Sequence, residues 1–421
     1  MSESPVHRLG LGQGTALFVG AVLGPGVLAL PHLAAAAAGP SSILAWAVLL
    51  ALSVPVALTF AALGARHPDG GGVAAFAARA FGRRVSAVVG LWFYAAVPVG
   101  VLAGALIGGD YVASAAGLGR TGTLAIAAGL LAAAFAANHG GLRLSGGVQL
   151  ALVALLAALL VAAVCAAGPH VRADAFTPFA PHGAAGIAHA AGVLFFAFAG
   201  WEAASHLSAD FADGRLLRRA TVLTLVIVGA LYLGLAVTVT GVLGERAASS
   251  PVPLTLLLDA GIGSAARPVT AGVALALSFV AMNTYIAGGA RLGAALSRDG
   301  VLPRRWGPPP SASGTPHRPL AVMAVLTGAL TAAVVLGGVG LDPLMRATSA
   351  CLAAVTVVGM ASAARLFAGR ARAAAWAATA FTAVVLLSCG WYLLVPAGVA
   401  LLVVPAVLAV PAALSRRGTR A

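Results

Sequence analysis

The sequence contains no lysine. All 25 basic residues are arginine, set against 11 acids, so charged residues make up only 9% of 421. A soluble domain of this length needs a charged surface, and a chain with 61% hydrophobic residues and a mean hydropathy of +1.00 cannot supply one. Cysteine is scarce as well. Cys165, Cys351 and Cys389 stand alone in apolar runs without metal or redox spacing, which excludes a disulfide framework and is read as three small buried thiols. Long polar segments are missing too, the longest loops reaching only about twenty residues. A soluble enzyme is thereby excluded, and no catalytic residue, metal ligand or cofactor is expected.

What is present is a series of hydrophobic runs. A membrane-spanning helix needs ~20 predominantly apolar residues, and runs of that kind recur about twelve times, near 11–37, 41–64, 85–113, 121–138, 148–167, 186–208, 219–243, 267–297, 319–338, 343–365, 374–394 and 396–414. With the N-terminus inside, twenty of the arginines fall on inward loops and tails. Only Arg120, Arg172, Arg246, Arg267 and Arg346 fall outward. This asymmetry places both termini in the cytoplasm, so the net charge of +14 is a topology signal and not a sign of nucleic-acid binding. The first run follows a short, weakly basic start with no early A-x-A site and is read as a retained span. Arginine- and alanine-rich usage without lysine suggests GC-rich bacterial coding, hence a multi-pass protein of the bacterial plasma membrane.

Two runs carry interruptions. The first reads GAVLGPGVLALP from Gly20 to Pro31, with Gly24-Pro25-Gly26 near its middle. Pro25 removes a backbone donor and the glycines tolerate non-helical angles, so the helix either unwinds there or kinks at a tight crossing. The sixth run, Ile187 to Leu207, contains FFAFAGWEAASHL with a small-residue break at Gly200 and a carboxylate, Glu202, beside it. A charge at mid-bilayer costs roughly 2.5–3.5 kcal/mol on insertion scales, which makes Glu202 a functional candidate by default. Five crossings separate the starts of these two runs, so they enter from opposite faces. That is the pattern of an inverted five-plus-five repeat with a site where the broken helices meet. The repeats would cover about 11–167 and 186–365, with two extra helices at about 374–414, all in one transmembrane domain of residues 1–421. Half-helix N-termini suit an anion and exposed C-terminal carbonyls a cation, a combination that fits a zwitterionic amino acid.

These residues resemble the amino acid–polyamine–organocation (APC) transporters. GAVLGPGVLALP is similar to that superfamily's glycine-rich unwound segment and FAFAGWEAASHLSADF to its sixth span, while Arg291-x6-Arg298-Asp299-Gly300-x-Leu302-Pro303 is similar to the cap of its eighth. Within it, Gly200, Glu202, Ala203, His206 and Leu207, with the glycines 70–72 after a His-Pro, look most like bacterial exporters of methionine and branched-chain amino acids. The resemblance implies an all-α polytopic membrane protein of about twelve helices with the LeuT-like fold, helices one and six broken. It also implies secondary active transport of neutral, mostly apolar amino acids; the proton is the candidate coupling ion on the reading of Glu202 as a protonatable carboxylate. Two departures stand out. Pro25 replaces the usual Ser or Thr between the glycines, which leaves carboxylate capture to the amides of Gly26 and Val27. The fifth span, Gly147 to Gly168, has no basic residue to stand in for sodium.

The candidate substrate-binding residues are Gly24, Pro25, Gly26, Val27, Phe196, Phe198, Ala199, Gly200 and Trp201. The resemblance puts Phe196 and Phe198 at the substrate and the carbonyls of Phe196 and Ala199 at its amino group; ordinary packing is the alternative for the aromatics. The coupling and gating candidates are Glu202, His206 and Asn283. Glu202 reads equally as a carboxylate whose desolvation raises its pKa toward the working range and as a buried acid that bonds unwound backbone. His206, four residues on, shares its helix face and either receives a proton or packs. Asn283 either lines the pathway or bonds a neighbouring backbone. Asp210 and Asp213 lie beside Arg215, Arg218 and Arg219 as an inner gate network or as solvated loop acids. An aromatic, uncharged lining favours an apolar substrate side chain. An uptake permease or exchanger of the same fold is the nearest alternative function; a channel would need rings of charge or a continuous polar lining, and a non-transporting sensor is the third.

Overall fold

The computed structural model describes residues 9–67, 72–141, 146–198, 200–202, 208–211, 213–307 and 316–409. Within them the chain forms helices joined by turns and short loops, with one bridge pair between Leu9 and Phe211. Helices dominate because backbone donors and acceptors must pair within the segment when lipid surrounds it. The helices are α1 (Leu11–Val22), α2 (Gly26–Ala38), α3 (Ser42–Arg66), α4 (Gly72–Phe81), α5 (Arg83–Ala115), α6 (Arg120–His139), α7 (Gly146–Ala167), α8 (Gly183–Leu194), α9 (Gly214–Leu243), α10 (Arg246–Ser249), α11 (Pro253–Ile262), α12 (Ala266–Arg298), α13 (His317–Gly337), α14 (Leu341–Leu366), α15 (Gly369–Ser388) and α16 (Leu394–Ala409).

Among the described residues, nine helical stretches are long and apolar enough to cross a membrane, with mean hydropathies from 1.4 to 2.9. The protein is therefore an all-α polytopic membrane protein. α2 and α3 form one such stretch, joined through a 3-10 turn at Gly39–Ser41, while α1 and the Gly183–Phe198 segment are shorter apolar pieces. Burial separates the centre from the rim. The apolar window of α14 is 72% buried and that of α12 56%, against 22% for α13 and 28% for α7 and α15. α5 and α12 cross at the centre, where Gly108 meets Ser278 and small side chains let the backbones approach.

One sequence expectation is corrected here. Cys351 and Cys389 are buried, but Cys165 is exposed. It lies on a stripe of α7 that also exposes Leu155, Ala158, Val161 and Ala162, and a thiol on a lipid-facing stripe gains little from burial. The last two helices meet at Cys389-Gly390, where Gly390 has φ +61° and Gly390–Leu393 forms a 3-10 turn. Pro396, at the start of the final run, lies in the first turn of α16, and its carbonyl accepts a bond from Trp92 Nε1 at 2.8 Å.

Candidate functional site

α1 ends at Val22, Leu23 leaves helical geometry with φ −78° and ψ 81°, and α2 begins again at Gly26. Gly24 and Pro25 are thus unwound. The break strands carbonyls at the C-terminus of α1, and in a membrane such groups need partners. Tyr232 on α9 supplies one: its hydroxyl donates to the Val22 carbonyl at 3.0 Å and lies 3.4 Å from the Ala197 carbonyl of the sixth-run segment. One phenol therefore reaches both interrupted helices. Tyr111 on α5 donates to the Leu28 carbonyl of α2 at 2.8 Å. On the N-terminal side of α2, the Val27 amide donates to Gly24 O at 3.3 Å and Leu28 N–H to Pro25 O at 3.1 Å. Of the two amides expected to hold a carboxylate, that of Val27 is engaged in the turn, and that of Gly26 opens the helix.

The second break begins earlier than Gly200. α8 gives way to a 3-10 turn at Phe195–Phe198, and Gly200 follows with φ +130°. A Cβ at Gly200 would sit 2.5 Å from the Ala21 carbonyl oxygen and 3.2 Å from Val22 Cα, so the two breaks meet backbone to backbone. Glu202 closes the turn on itself, its Oε2 accepting the Gly200 N–H at 2.9 Å. Phe196 lies against the first break, where a Cβ on Gly26 would come 2.7 Å from its ring. Phe198, Trp46 and Tyr232 form one aromatic cluster, with centroids 5.1–6.1 Å apart. Trp201 is 4% exposed and turns toward α3 and α14, where with Glu202, Ser53 and Thr356 it borders a narrow cavity. Ala199, Ala203, His206 and Leu207 lie outside the described residues.

Phe196 against Gly26 provides a test of the first break. Gly26→Val is expected to lower transport at least tenfold with expression retained, because the branched side chain displaces the ring and stiffens the first turn of α2. Membrane yield and counterflow of the variant check it; wild-type counterflow removes Gly26 from the site.

Contacts away from the breaks differ at the two ends. At the arginine-rich end, Leu9 N–H donates to Asp210 O at 2.8 Å, and Phe211 packs against Gly14 and, at 5.6 Å, against Phe18. The start of α1 is thereby tied to the segment after the second break. Asp213 caps α9 by accepting from Leu216 N–H at 2.6 Å. At the opposite end, Arg346 is held by both oxygens of Asp342 at 2.8 and 2.9 Å and donates to the His189 carbonyl of α8 at 2.9 Å. His32 Nδ1 lies 3.1 Å from Ala247 O, joining α2 to α10.

Asn283 is 3% exposed and pairs with Asn138 of α6. Asn138 Nδ2 donates to Asn283 Oδ1 at 2.7 Å and to Ala134 O at 2.9 Å. The Asn283 side-chain oxygen thus bonds a side chain, that of Asn138, and not the neighbouring backbone the sequence reading named. The neighbouring turns of α12 expose Thr284, Tyr285, Gly288 and Arg291, whereas its other half exposes Val269, Gly272 and Leu275. At 100° per residue Gly288 and Gly272 lie about 160° apart round the helix.

Tyr232 and Tyr111 were missed by sequence reasoning. Their one signal was scarcity, since the chain has only five tyrosines.

The amino acid permease family model matches residues 9–416, across both breaks and every helix described above. The chain belongs to the amino acid permease family, within the APC superfamily. This permease is 33% identical over 389 residues to the uncharacterized amino acid permease YecA of Bacillus subtilis, covering 91% of this chain and 92% of that one. It is 34% identical over 293 residues to the L-methionine/branched-chain amino acid exporter YjeH of Escherichia coli, with 68% and 69% covered. It is also 26% identical to the branched-chain amino acid permease BcaP of Bacillus subtilis, over 72% of this chain and 69% of that one. The permease is accordingly an amino acid transporter of a bacterial membrane.

Proposed function

We propose that this permease is a secondary active exporter of neutral, mostly apolar amino acids such as methionine, leucine, isoleucine and valine, with the proton as coupling ion. The observation that carries the reading is the meeting of two unwound segments in aromatic surroundings, Phe196 against Gly26 and Tyr232 between the carbonyls of Val22 and Ala197. Unwound backbone offers amides and carbonyls to the two charged ends of an amino acid. The described side chains around it are apolar or phenolic apart from Glu202, so a charged substrate side chain would find no dedicated counter-charge at the aromatic wall. The substrate class and direction also draw on the name of the Escherichia coli relative.

In this reading the chain crosses the membrane twelve times, with repeats of five helices over about 11–167 and 186–365, both termini cytoplasmic, and the last two helices outside the repeats. The exposed polar face of α12 lines an aqueous crevice from the cytoplasmic side, while the Arg346–His189 and His32–Ala247 bonds close the other end. The substrate occupies Gly24, Pro25, Gly26, Val27, Phe196, Phe198, Ala199 and Gly200, and Glu202 with His206 governs coupling.

Proteoliposomes with a labelled amino-acid panel, with and without proton and sodium gradients, test this. Methionine, leucine, isoleucine and valine are expected to compete with one another, flux to saturate and counterflow to appear. Competition by arginine, lysine or glutamate without competition by leucine or methionine overturns the substrate assignment. Unsaturable flux without counterflow identifies a pore instead.

A further inference from the structure

At the rim of the bundle α6 and α13 lie side by side, with only 33% and 22% of their apolar windows buried. Between them runs a groove of about 520 Å³, lined by Ala128 and Leu131 of α6 and by Gly328, Thr331, Ala332 and Leu336 of α13. That is the size of a ligand site, since such sites occupy roughly 300–1,000 Å³. Its walls are apolar. The one hydroxyl among them, on Thr331, donates back to Thr327 O at 2.8 Å and leaves the groove no donor. Gly328 makes the notch, because a Cβ there would meet nothing within 4 Å. Leu131 forms the floor at 7% exposure and Leu336 the edge at 87%.

Length and charge together say what fills the groove. α13 runs from His317 to Gly337, so Gly328 stands at its middle and Leu336 at its end. Eight residues at a rise of ~1.5 Å span ~12 Å, close to the ~15 Å of hydrocarbon in one leaflet. The groove therefore follows the path of a single acyl chain from mid-bilayer to one surface. At that surface Arg120, the first residue of α6, is exposed and donates through Nη2 to Val339 O at 2.7 Å, just past the end of α13. A guanidinium has five N–H donors, so this bond fixes the group at the open end of the groove and leaves donors for a phosphate. A second protein helix would bring apolar surface to the groove but no anion to Arg120.

We propose that the groove between α6 and α13 binds one acyl chain of a phospholipid in the leaflet on the Arg120 side, with the lipid phosphate paired to Arg120. The two helices it joins reach the centre of the bundle separately: Gly108 of α5 meets Leu130 of α6, and Gly289 of α12 meets Met323 of α13. A chain lying between them fills space that no side chain fills and stabilises the bundle from outside, and a ligand that binds only the folded protein raises its thermal midpoint by mass action.

Native mass spectrometry and thermal shift of the full-length permease, delipidated in detergent and titrated with dioleoyl phosphatidylglycerol, test this. The wild type is expected to retain a tightly bound lipid and to gain thermal stability as lipid is added. Gly328→Leu puts a side chain into the groove without meeting protein, and Arg120→Gln keeps a donor for Val339 O while removing the charge. Each is expected to weaken lipid binding about tenfold. Gly272→Leu, the same change on an exposed turn of α12, is expected to bind like the wild type. Dioleoylglycerol, which has the chains without the phosphate, is expected to bind about tenfold more weakly, and inorganic phosphate alone to leave the midpoint unmoved. Wild-type binding by Gly328→Leu overturns the groove as the site. Equal binding of dioleoylglycerol, or wild-type binding by Arg120→Gln, overturns the phosphate pairing. A midpoint shift with inorganic phosphate alone makes Arg120 an anion site without a lipid, and a wild-type dimer that Gly328→Leu dissociates gives the groove to a second copy of the chain; either result overturns the proposal.

Discussion

Gly200→Ala is expected to abolish transport and to reduce folded protein in the membrane severely. Two independent penalties act at this position. A φ of +130° lies in a region that side-chain-bearing residues rarely adopt, at a cost of about 1–3 kcal/mol. The new Cβ would also lie 2.5 Å from the Ala21 carbonyl oxygen, which is backbone and cannot swing aside. Relief requires the two broken helices to separate, and that pulls Val22 O and Ala197 O from the shared Tyr232 hydroxyl. Detergent-solubilised yield, a thermal-shift midpoint and counterflow check this together. Normal yield with wild-type counterflow would show that the two backbones do not meet in the working protein.

Glu202→Gln is expected to eliminate pH-driven net transport, by a hundredfold or more, while exchange of labelled for unlabelled substrate continues. This variant separates the observed role of Glu202 from its proposed one. As a structural group it accepts the Gly200 N–H at 2.9 Å, and a glutamine carbonyl oxygen accepts the same bond, so the turn survives. In the proposed coupling role a carboxylate takes up and releases a proton as the protein alternates, which lets a proton gradient drive the cycle; glutamine cannot. Net flux and exchange across a pH series decide between them. A variant that keeps the wild-type response to a proton gradient makes Glu202 a structural acid and places coupling elsewhere.

The first break was legible in the sequence because its cause is local. Pro25 lacks an N–H and its glycine neighbours tolerate open angles, so GPG marks the interruption, and the structure unwinds the chain at Leu23–Pro25. The second was legible only in part. Gly200 marked it, but the 3-10 turn already starts at Phe195, within a Phe-Phe-Ala-Phe run that contains no breaker. The Tyr232 hydroxyl beside the Ala197 carbonyl lies at this shift from α to 3-10 geometry, and such a contact spans 35 residues.

By itself the sequence determined that the protein is helical and polytopic and where its arginines fall, because hydrophobic length and charge placement are read one segment at a time. It could not determine which face of each helix meets protein and which meets lipid. In a membrane both surroundings are apolar, so the amphipathic period that marks a buried face in water is weak. For that reason the exposure of Cys165, the pairing of Asn283 with Asn138 and the reach of Tyr232 to Val22, 210 residues away in the chain, were decided by the tertiary structure alone. Each depends on how two helices cross, and crossing geometry is set by the fit of small side chains between segments that lie far apart in the chain.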